Sequence, residues 1–279
     1  MAILSIDGSS IYYEVKGDIA SNKTIAFFNG VMASTSSWEM YWPTFKKLGY
    51  KVIVHDFLGQ LKSDKPKGPY SFKQHAYQAM KLFEHCDIKD VHIVGTSYGG
   101  EVAMRFAIDY PQMTKSISII DSVSELDEVL THAINNWIIL TQTNNPEIFF
   151  KGMLSSIYGH SYLEKNKVML EQRAKVMSKL PHDYLKGQKI LYDTFLSDVT
   201  ITDELHKITC PTLVVCGEDD ILKPVKFSKI IADNIKQAEF VTLPDCGHVA
   251  IFEKSEELKS LLLGFIIKQS LIEKGDDHY

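Results

Sequence analysis

Gly95-Thr96-Ser97-Tyr98-Gly99-Gly100 constrains this chain more than any other stretch. Before it, Val91-His92-Ile93-Val94 reads as a short buried strand. After it, Glu101 to Tyr110 carries apolar residues at helical spacing and halts at Pro111. A G-x-S-x-G between strand and helix is a turn too sharp for side chains at its flanks, so glycines stand there. The serine is then held in a strained backbone conformation, with its hydroxyl projecting above the sheet. A serine hydroxyl is a weak nucleophile at neutral pH. It needs a base, and the base needs an orienting acid.

Both candidates follow in the chain. Thr212 to Gly217 reads as a strand that runs into Glu218-Asp219-Asp220-Ile221-Leu222-Lys223-Pro224, a carboxylate-rich loop. Glu239 to Leu243 alternates like a strand, and Pro244-Asp245-Cys246-Gly247-His248 follows as a loop with one histidine. The order Ser, Asp, His is the one expected for such an elbow on an α/β sheet.

These residues resemble the α/β-hydrolase-fold serine hydrolases, from about Ile11 to about Ile267. Phe27-Phe28-Asn29-Gly30-Val31 is similar to the family's strand-end segment that supplies half of the oxyanion hole. His55 to Ser63 resembles its D-x-x-G-x-G-x-S loop, Gly217 to Pro224 its G-x-x-D-x-x-x-P, and Gly247-His248 with Glu253 its terminal G-H-x-x-x-x-E. The resemblance implies Ser97 as nucleophile, His248 as base and Asp220, rather than Glu218 or Asp219, as the acid. The backbone N–H groups of Val31 and Tyr98 would hold the oxyanion. Asp121 and Glu125 occupy the place where some members carry the acid; Asp121 is expected to be a structural partner for a loop. The chain departs from the pattern at Asn29-Gly30, where the family usually has His-Gly, and at Leu61, where it has a glycine.

The fold so implied is α/β: an α/β-hydrolase fold with a mainly parallel eight-stranded sheet, flanking helices and an inserted all-helical cap. Strands are expected near Ile3–Ile6, Ile11–Lys16, Thr24–Phe28, Lys51–His55, Val91–Gly95 and Lys115–Asp121. Helices are expected near Trp38–Leu48, Phe72–Cys86 and Tyr98–Tyr110. Strand and helix patterns return from about residue 208. Between them, segments near Glu125–Thr143, Pro146–Ile157, Ser161–Leu180 and Tyr184–Leu196 have helical periodicity, separated by Asn144-Asn145-Pro146, Gly159 and Pro181. The expected division is a core of 1–121 and 208–279 with a cap of 122–207. Lys274 to Tyr279 reads as a loose tail.

Composition fits one α/β unit with an insertion: 279 residues, 45% of them hydrophobic, can bury a large core. The net charge of −5, with no basic cluster, leaves no footprint for nucleic acid. The N-terminal segment lacks the pattern of an export signal and no apolar run could span a bilayer, so a cytoplasmic protein without a membrane partner is expected. Its oligomeric state is left open. Cys86, Cys210, Cys216 and Cys246 form no C-x-x-C and no zinc spacing, and no metal or organic cofactor is implied. Cys216 is expected to be buried filler and Cys246 an unreactive thiol.

The insertion is rich in aromatic residues and methionine, so an apolar pocket is expected. Asn29, Trp137, Phe149, Met153 and Tyr158 are its candidate substrate-binding residues, and His55 is expected to order its own loop. Arg105 and Arg173 are the only arginines; Arg173, in the insertion, is expected to face solvent. Without a cationic anchor, the expected substrate is a small, largely apolar carboxylic ester or lactone, cleaved through an acyl-enzyme. C–C bond hydrolysis or thioester hydrolysis are the alternatives within the fold. A ligand receptor that retains the three residues is the alternative outside enzymology.

Overall fold

The computed structural model describes residues 2–275. Eight strands form one sheet: β1 Ala2–Ile6, β2 Ser9–Gly17, β3 Thr24–Phe28, β4 Lys51–His55, β5 Val91–Thr96, β6 Thr114–Ile120, β7 Thr212–Gly217 and β8 Ala238–Leu243. Their spatial order is β1-β2-β4-β3-β5-β6-β7-β8. β2 runs antiparallel to both of its neighbours; every pair from β4 to β8 is parallel. The expected α/β-hydrolase fold with a mainly parallel eight-stranded sheet is therefore present.

β3, β5 and β7 are buried along their whole length, which is why they read as apolar runs rather than alternating patterns. Alternate residues still point to opposite faces. Ala26 and Phe28 join one hydrophobic cluster, and Ile25 and Phe27 join the other. The first cluster packs under α2 (Phe72–His85) and α3 (Tyr98–Asp109) and continues into the segment between β6 and β7. The second packs under α1 (Trp42–Lys47) and the last helix.

The segment between β6 and β7 holds α4 (Glu128–Thr141), α5 (Pro146–Ile157), α6 (His160–Met177) and α7 (Tyr184–Asp198). Its breakers act as caps. Asn145 Oδ1 accepts from the N–H groups of Glu147 and Ile148, and Pro146 fills the first helical position, so α5 starts there. Asp127 caps α4 in the same way through Leu130 N–H. Beyond β7 lie α8 (Val225–Asn234), α9 (Ala250–Glu253) and α10 (Ser255–Gly275).

Three expectations shift. The helix expected over Trp38–Leu48 is a 3-10 turn at Thr35–Trp38 followed by α1, because Pro43 has no N–H to continue a helix through it. α6 is interrupted by non-helical backbone at Asn166, which periodicity did not reveal. Lys274 lies in α10, not in a tail; residues 276–279 lie outside the described residues. Among the described residues, no helix is long and apolar enough to cross a membrane.

His55 does not order its loop through its ring. The imidazole is buried against Phe28 and Phe57, with ring centroids 5.2 and 4.7 Å away, and neither nitrogen has a hydrogen-bond partner. Burial pushes its pKa down to about 3, so it folds neutral. Unfolding frees it to bind a proton below about pH 6.5, so this stability contribution is complete above that pH and is lost as pH falls toward 3. The stability advantage of His55→Phe over wild type should therefore grow by about 1.4 kcal/mol per pH unit between about pH 6 and 4, read by urea unfolding. A difference that stays constant with pH would show that the imidazole is protonated in the folded protein.

Candidate active site

The strand order reverses around β3, which has β4 on one side and β5 on the other, so a crevice opens beyond their carboxyl ends. Ser97 follows β5 there, and Asn29-Gly30-Val31 follows β3. Ser97 has φ 51° and ψ −122°, a left-handed-side conformation that costs a side-chain-bearing residue about 1–3 kcal/mol. Its surroundings hold it. Ser97 N–H donates to Ile120 O at 2.8 Å, and Ser97 O accepts from Ser122 Oγ at 2.9 Å and Gly100 N–H at 2.8 Å. The flanking glycines are required by contact: a Cβ on Gly95 would lie 2.3 Å from Gly99 O, and one on Gly99 would lie 2.2 Å from Phe28 O.

His248 Nε2 lies 3.0 Å from Ser97 Oγ, and His248 Nδ1 lies 2.8 Å from Asp220 Oδ2. The other oxygen of Asp220 accepts from the N–H groups of Leu222 and Lys223 at 2.9 and 2.8 Å, which fixes the carboxylate plane. Asp121 does a different job. Its oxygens accept from Gly217 N–H at 3.0 Å and Ala250 N–H at 3.1 Å, joining the end of β6 to the strand before Asp220 and the helix after His248. Burial, and after it the charge of Asp220, pushes the Asp121 carboxyl well above the ordinary carboxylate range.

On the β3 side, Gly30 O accepts from Gln60 Nε2 at 2.8 Å and from Ala33 N–H at 3.0 Å. In a trans peptide the carbonyl and the N–H point in opposite directions, so these bonds orient the Val31 N–H. A Cβ on Gly30 would stand 3.4 Å from Ser97 Cβ, so this peptide lies against the elbow. Tyr98 opens α3, where helix geometry leaves its N–H without an intrahelical acceptor.

An apolar cavity covers these groups. Ser97, His248, Val31 and Tyr98 border it, and the segment between β6 and β7 contributes Trp137, Met153, Tyr158, Tyr192 and Phe195. Two of the five residues expected to line it do not. Asn29 is fully buried beneath: its amide donates to His55 O at 2.7 Å and Gln60 Oε1 at 3.0 Å and accepts from Trp38 Nε1 at 2.8 Å. Asn29 thus cross-links the loops after β3 and β4. Phe149 packs beside Tyr184 and Tyr192, and its neighbour Phe150 borders the cavity instead. One residue along a helix turns the side chain by about 100°, and the packing of α5 alone decides which phenylalanine faces in.

Arg173 also departs from expectation. It borders the cavity, with its guanidinium 5.0 Å from the ring centre of Phe252 and 5.7 Å from that of Phe150. Cys216 is buried, and burial pushes its thiol up to about 12. Cys246 is buried as well; burial and then Asp121 and Glu253 push its thiol up, opposite to what a reactive thiolate needs.

Sequence reading missed Lys223. Its Nζ lies 2.7 Å from Glu101 Oε1 and 3.2 Å from Ser97 Oγ, and both side chains are almost wholly buried. In the sequence it is one lysine among 30 cationic residues. The one available signal was its position three residues after the candidate acid, where an Asp-capped turn directs it back over the elbow.

The chain belongs to the alpha/beta hydrolase fold family, whose sequence pattern matches residues 23–255. It is a hydrolase by that membership and by its relatives. It is 26% identical over 263 residues to a Stutzerimonas stutzeri (strain A1501) protein provisionally named carbamate hydrolase RutD, covering 93% of this chain and 97% of the other. It is 25% identical to the proline iminopeptidase of Lactobacillus helveticus (strain DPC 4571), covering 91% and 93%. Among solved structures, MGS-M2, an alpha/beta hydrolase enzyme from a Medee basin deep-sea metagenome library, superposes with TM-score 0.89 at 28% identity, covering 95% and 97%. Est816, described as an N-acyl homoserine lactone degrading enzyme, superposes with TM-score 0.80 at 27% identity, covering 95% and 100%.

The loop carrying His248 is fastened to α5 and α6. His248 N–H donates to Ile157 O at 2.9 Å, and Glu253 Oε2 accepts from the N–H groups of Gly159 and Gly247, both at 3.0 Å. Replacing Glu253 by Ala leaves three backbone donors, the N–H groups of Gly159, Gly247 and Val249, without their acceptor. The expected cost is about 2–4 kcal/mol, measured as a lower urea midpoint at pH 7. An unchanged midpoint would mean that water replaces the carboxylate without loss.

Proposed function

We propose that this hydrolase cleaves a carboxylic ester or lactone of a small, largely apolar substrate through an acyl-enzyme on Ser97. The observation that carries the reading is the hydrogen-bonded line from Asp220 through His248 to Ser97 Oγ on the floor of an apolar cavity. Ser97 Oγ attacks the carbonyl carbon while His248 Nε2 takes its proton. Asp220 keeps the Nδ1 proton in place and stabilises the imidazolium. The N–H groups of Val31 and Tyr98 receive the carbonyl oxygen as it becomes anionic. The leaving alcohol takes the proton from His248, and water activated by the same imidazole releases the acid. In this reading residues 122–207 are a cap, whose helices exclude bulk water from the acyl-enzyme and shape the acyl site.

Ester or lactone cleavage is preferred to amide or carbamate cleavage because the cavity wall is largely apolar, with no carboxylate among the described residues lining it to accept from an amine-bearing group. Arg173 supports a second reading within the same chemistry. The guanidinium bordering the cavity can hold a carboxylate, as an acidic ester or a keto-acid substrate of C–C hydrolysis would require.

Steady-state assays with p-nitrophenyl esters of graded acyl length, simple lactones, a matching anilide and a monoester with a terminal carboxylate test these readings. Wild type should turn over a neutral ester or a lactone many times, and Ser97→Ala should lose at least about 10⁴-fold in kcat. Retained turnover in Ser97→Ala would sink the mechanism. A single burst without turnover would move the protein to the receptor class. Preference for the anilide or for the carboxylate-bearing ester would replace the neutral-ester substrate.

Gln60→Leu removes one of the two hydrogen bonds on the Gly30 carbonyl, leaving that from Ala33 N–H, and so loosens the aim of the Val31 N–H. It should lower kcat about tenfold or more, with KM changed little. An unaffected kcat would show that the Gln60 bond does not set the aim of the Val31 N–H.

A further inference from the structure

We infer that Lys223 is a further catalytic residue of the serine site: its ammonium donates a hydrogen bond to Ser97 Oγ, and Glu101 holds it there. This rests on the proposed role of Ser97 as nucleophile and adds a fourth side chain to it.

The geometry fixes the sense of the contact. An ammonium donates and cannot accept, so at 3.2 Å Ser97 Oγ is the acceptor. The single hydroxyl proton of Ser97 is then left for His248 Nε2 at 3.0 Å, the direction that proton abstraction requires. Lys223 is held between a carboxylate and an aromatic ring. Glu101 Oε1 lies 2.7 Å from Nζ, the ring centre of Phe195 on α7 lies 4.7 Å away, and the side chain is only 3% exposed. Its own backbone N–H donates to Asp220 Oδ1 at 2.8 Å, so one residue contacts both the acid and the nucleophile.

Glu101 answers the difficulty that a cation beside the serine would raise. An uncompensated ammonium would oppose formation of the His248 imidazolium. The Glu101 side chain is fully buried, accepts from Val123 N–H at 3.0 Å and supplies the compensating charge. Two charge-balanced pairs thus flank Oγ: Asp220 with the imidazolium, and Glu101 with Lys223. As the proton leaves Oγ for His248, negative charge grows on Oγ before its bond to carbon is complete, and the Lys223 N–H bond strengthens. The same bond stabilises Oγ as leaving group when water attacks the acyl-enzyme and His248 returns the proton. Lys223 keeps its own proton throughout.

A buried ion pair can also be purely architectural, linking the Asp220 loop to α3. The test separates the two by measuring the reactivity of Oγ alone. A fluorophosphonate forms one Oγ–P bond, expels fluoride, passes the Oγ proton to His248 and stops. Its second-order rate is compared for wild type, Ser97→Ala and the double variant Lys223→Met/Glu101→Leu. Replacing both partners of a buried pair by apolar residues leaves no orphaned charge, although it takes the acceptor from the Val123 N–H, so the double variant should melt cooperatively at a somewhat lower temperature than wild type. The expected result is a rate 10- to 100-fold below wild type, measured at a temperature where the double variant is fully folded. A wild-type rate in the folded double variant overturns the proposal and leaves Ser97 as the nucleophile. Failure of wild type to react at Ser97 overturns the functional reading and this inference with it. Should the double variant not melt cooperatively, Lys223→Gln decides. It keeps an uncharged donor beside Oγ and should react 3- to 10-fold more slowly, and a wild-type rate there also overturns the proposal.

Discussion

The first turn of α3 packs its backbone directly against the end of β3, with no room for even a methyl group between Gly99 and the Phe28 carbonyl. That approach forces the chain to leave β5 through a turn of about one residue, and Ser97 takes the strain of it at φ 51°. A serine placed so cannot swing back into the sheet, and its side chain stands at the crevice where the strand order reverses. The same approach carries the N-terminal N–H of α3 toward the peptide of Gly30 and Val31. Backbone contact between two elements therefore sets the position of the hydroxyl and of the groups around it together.

Around that point the protein uses buried carboxylates to fasten loops that share no strand pairing. Asp121 joins β7 to α9, and Glu253 joins the loop of His248 to the junction of α5 and α6. Each accepts from backbone N–H groups, so each fixes the path of the chain rather than a side-chain rotamer. Asn29 and Gln60 fasten the loops after β3 and β4 in the opposite sense, by donating their amide N–H groups to the carbonyls of His55 and Gly30. The consequence is a floor whose parts come from five separate segments joined by buried hydrogen bonds. α5 is bonded straight to the backbone of His248, so the insertion is mechanically part of the site.

Much of this was legible in the chain because it depends on local stereochemistry. A strand, a tight turn flanked by glycines and a helix present Ser97 outward, and the loops ending in Asp220 and His248 follow one apolar run and one alternating pattern, each of which reads as a strand. Strand limits agreed within a residue or two, because polar residues and glycines flank the apolar runs of β3, β4 and β5. Where the reading erred, a neighbour distant in sequence had decided the matter. Asn29 looked open to the crevice but is claimed by Trp38, His55 and Gln60. Phe149 and Phe150 are equivalent by periodicity, and only the fit of α5 against α7 separates them.

Lys223 and Arg173 mark that boundary most clearly. Arg173 was expected to face solvent and Lys223 did not stand out at all, because a sequence gives charge without surroundings. Burial of Lys223 is tolerable only because Glu101, 122 positions away, lies across from it. Arg173 turns inward because Phe150 and Phe252 offer it aromatic faces. The sequence by itself determined the sheet, the elbow and the order of Ser97, Asp220 and His248, since those follow from backbone sterics and short-range pattern. The tertiary structure alone decided which side chains share the cavity with them, since that depends on desolvation and pairing between residues that only folding brings together.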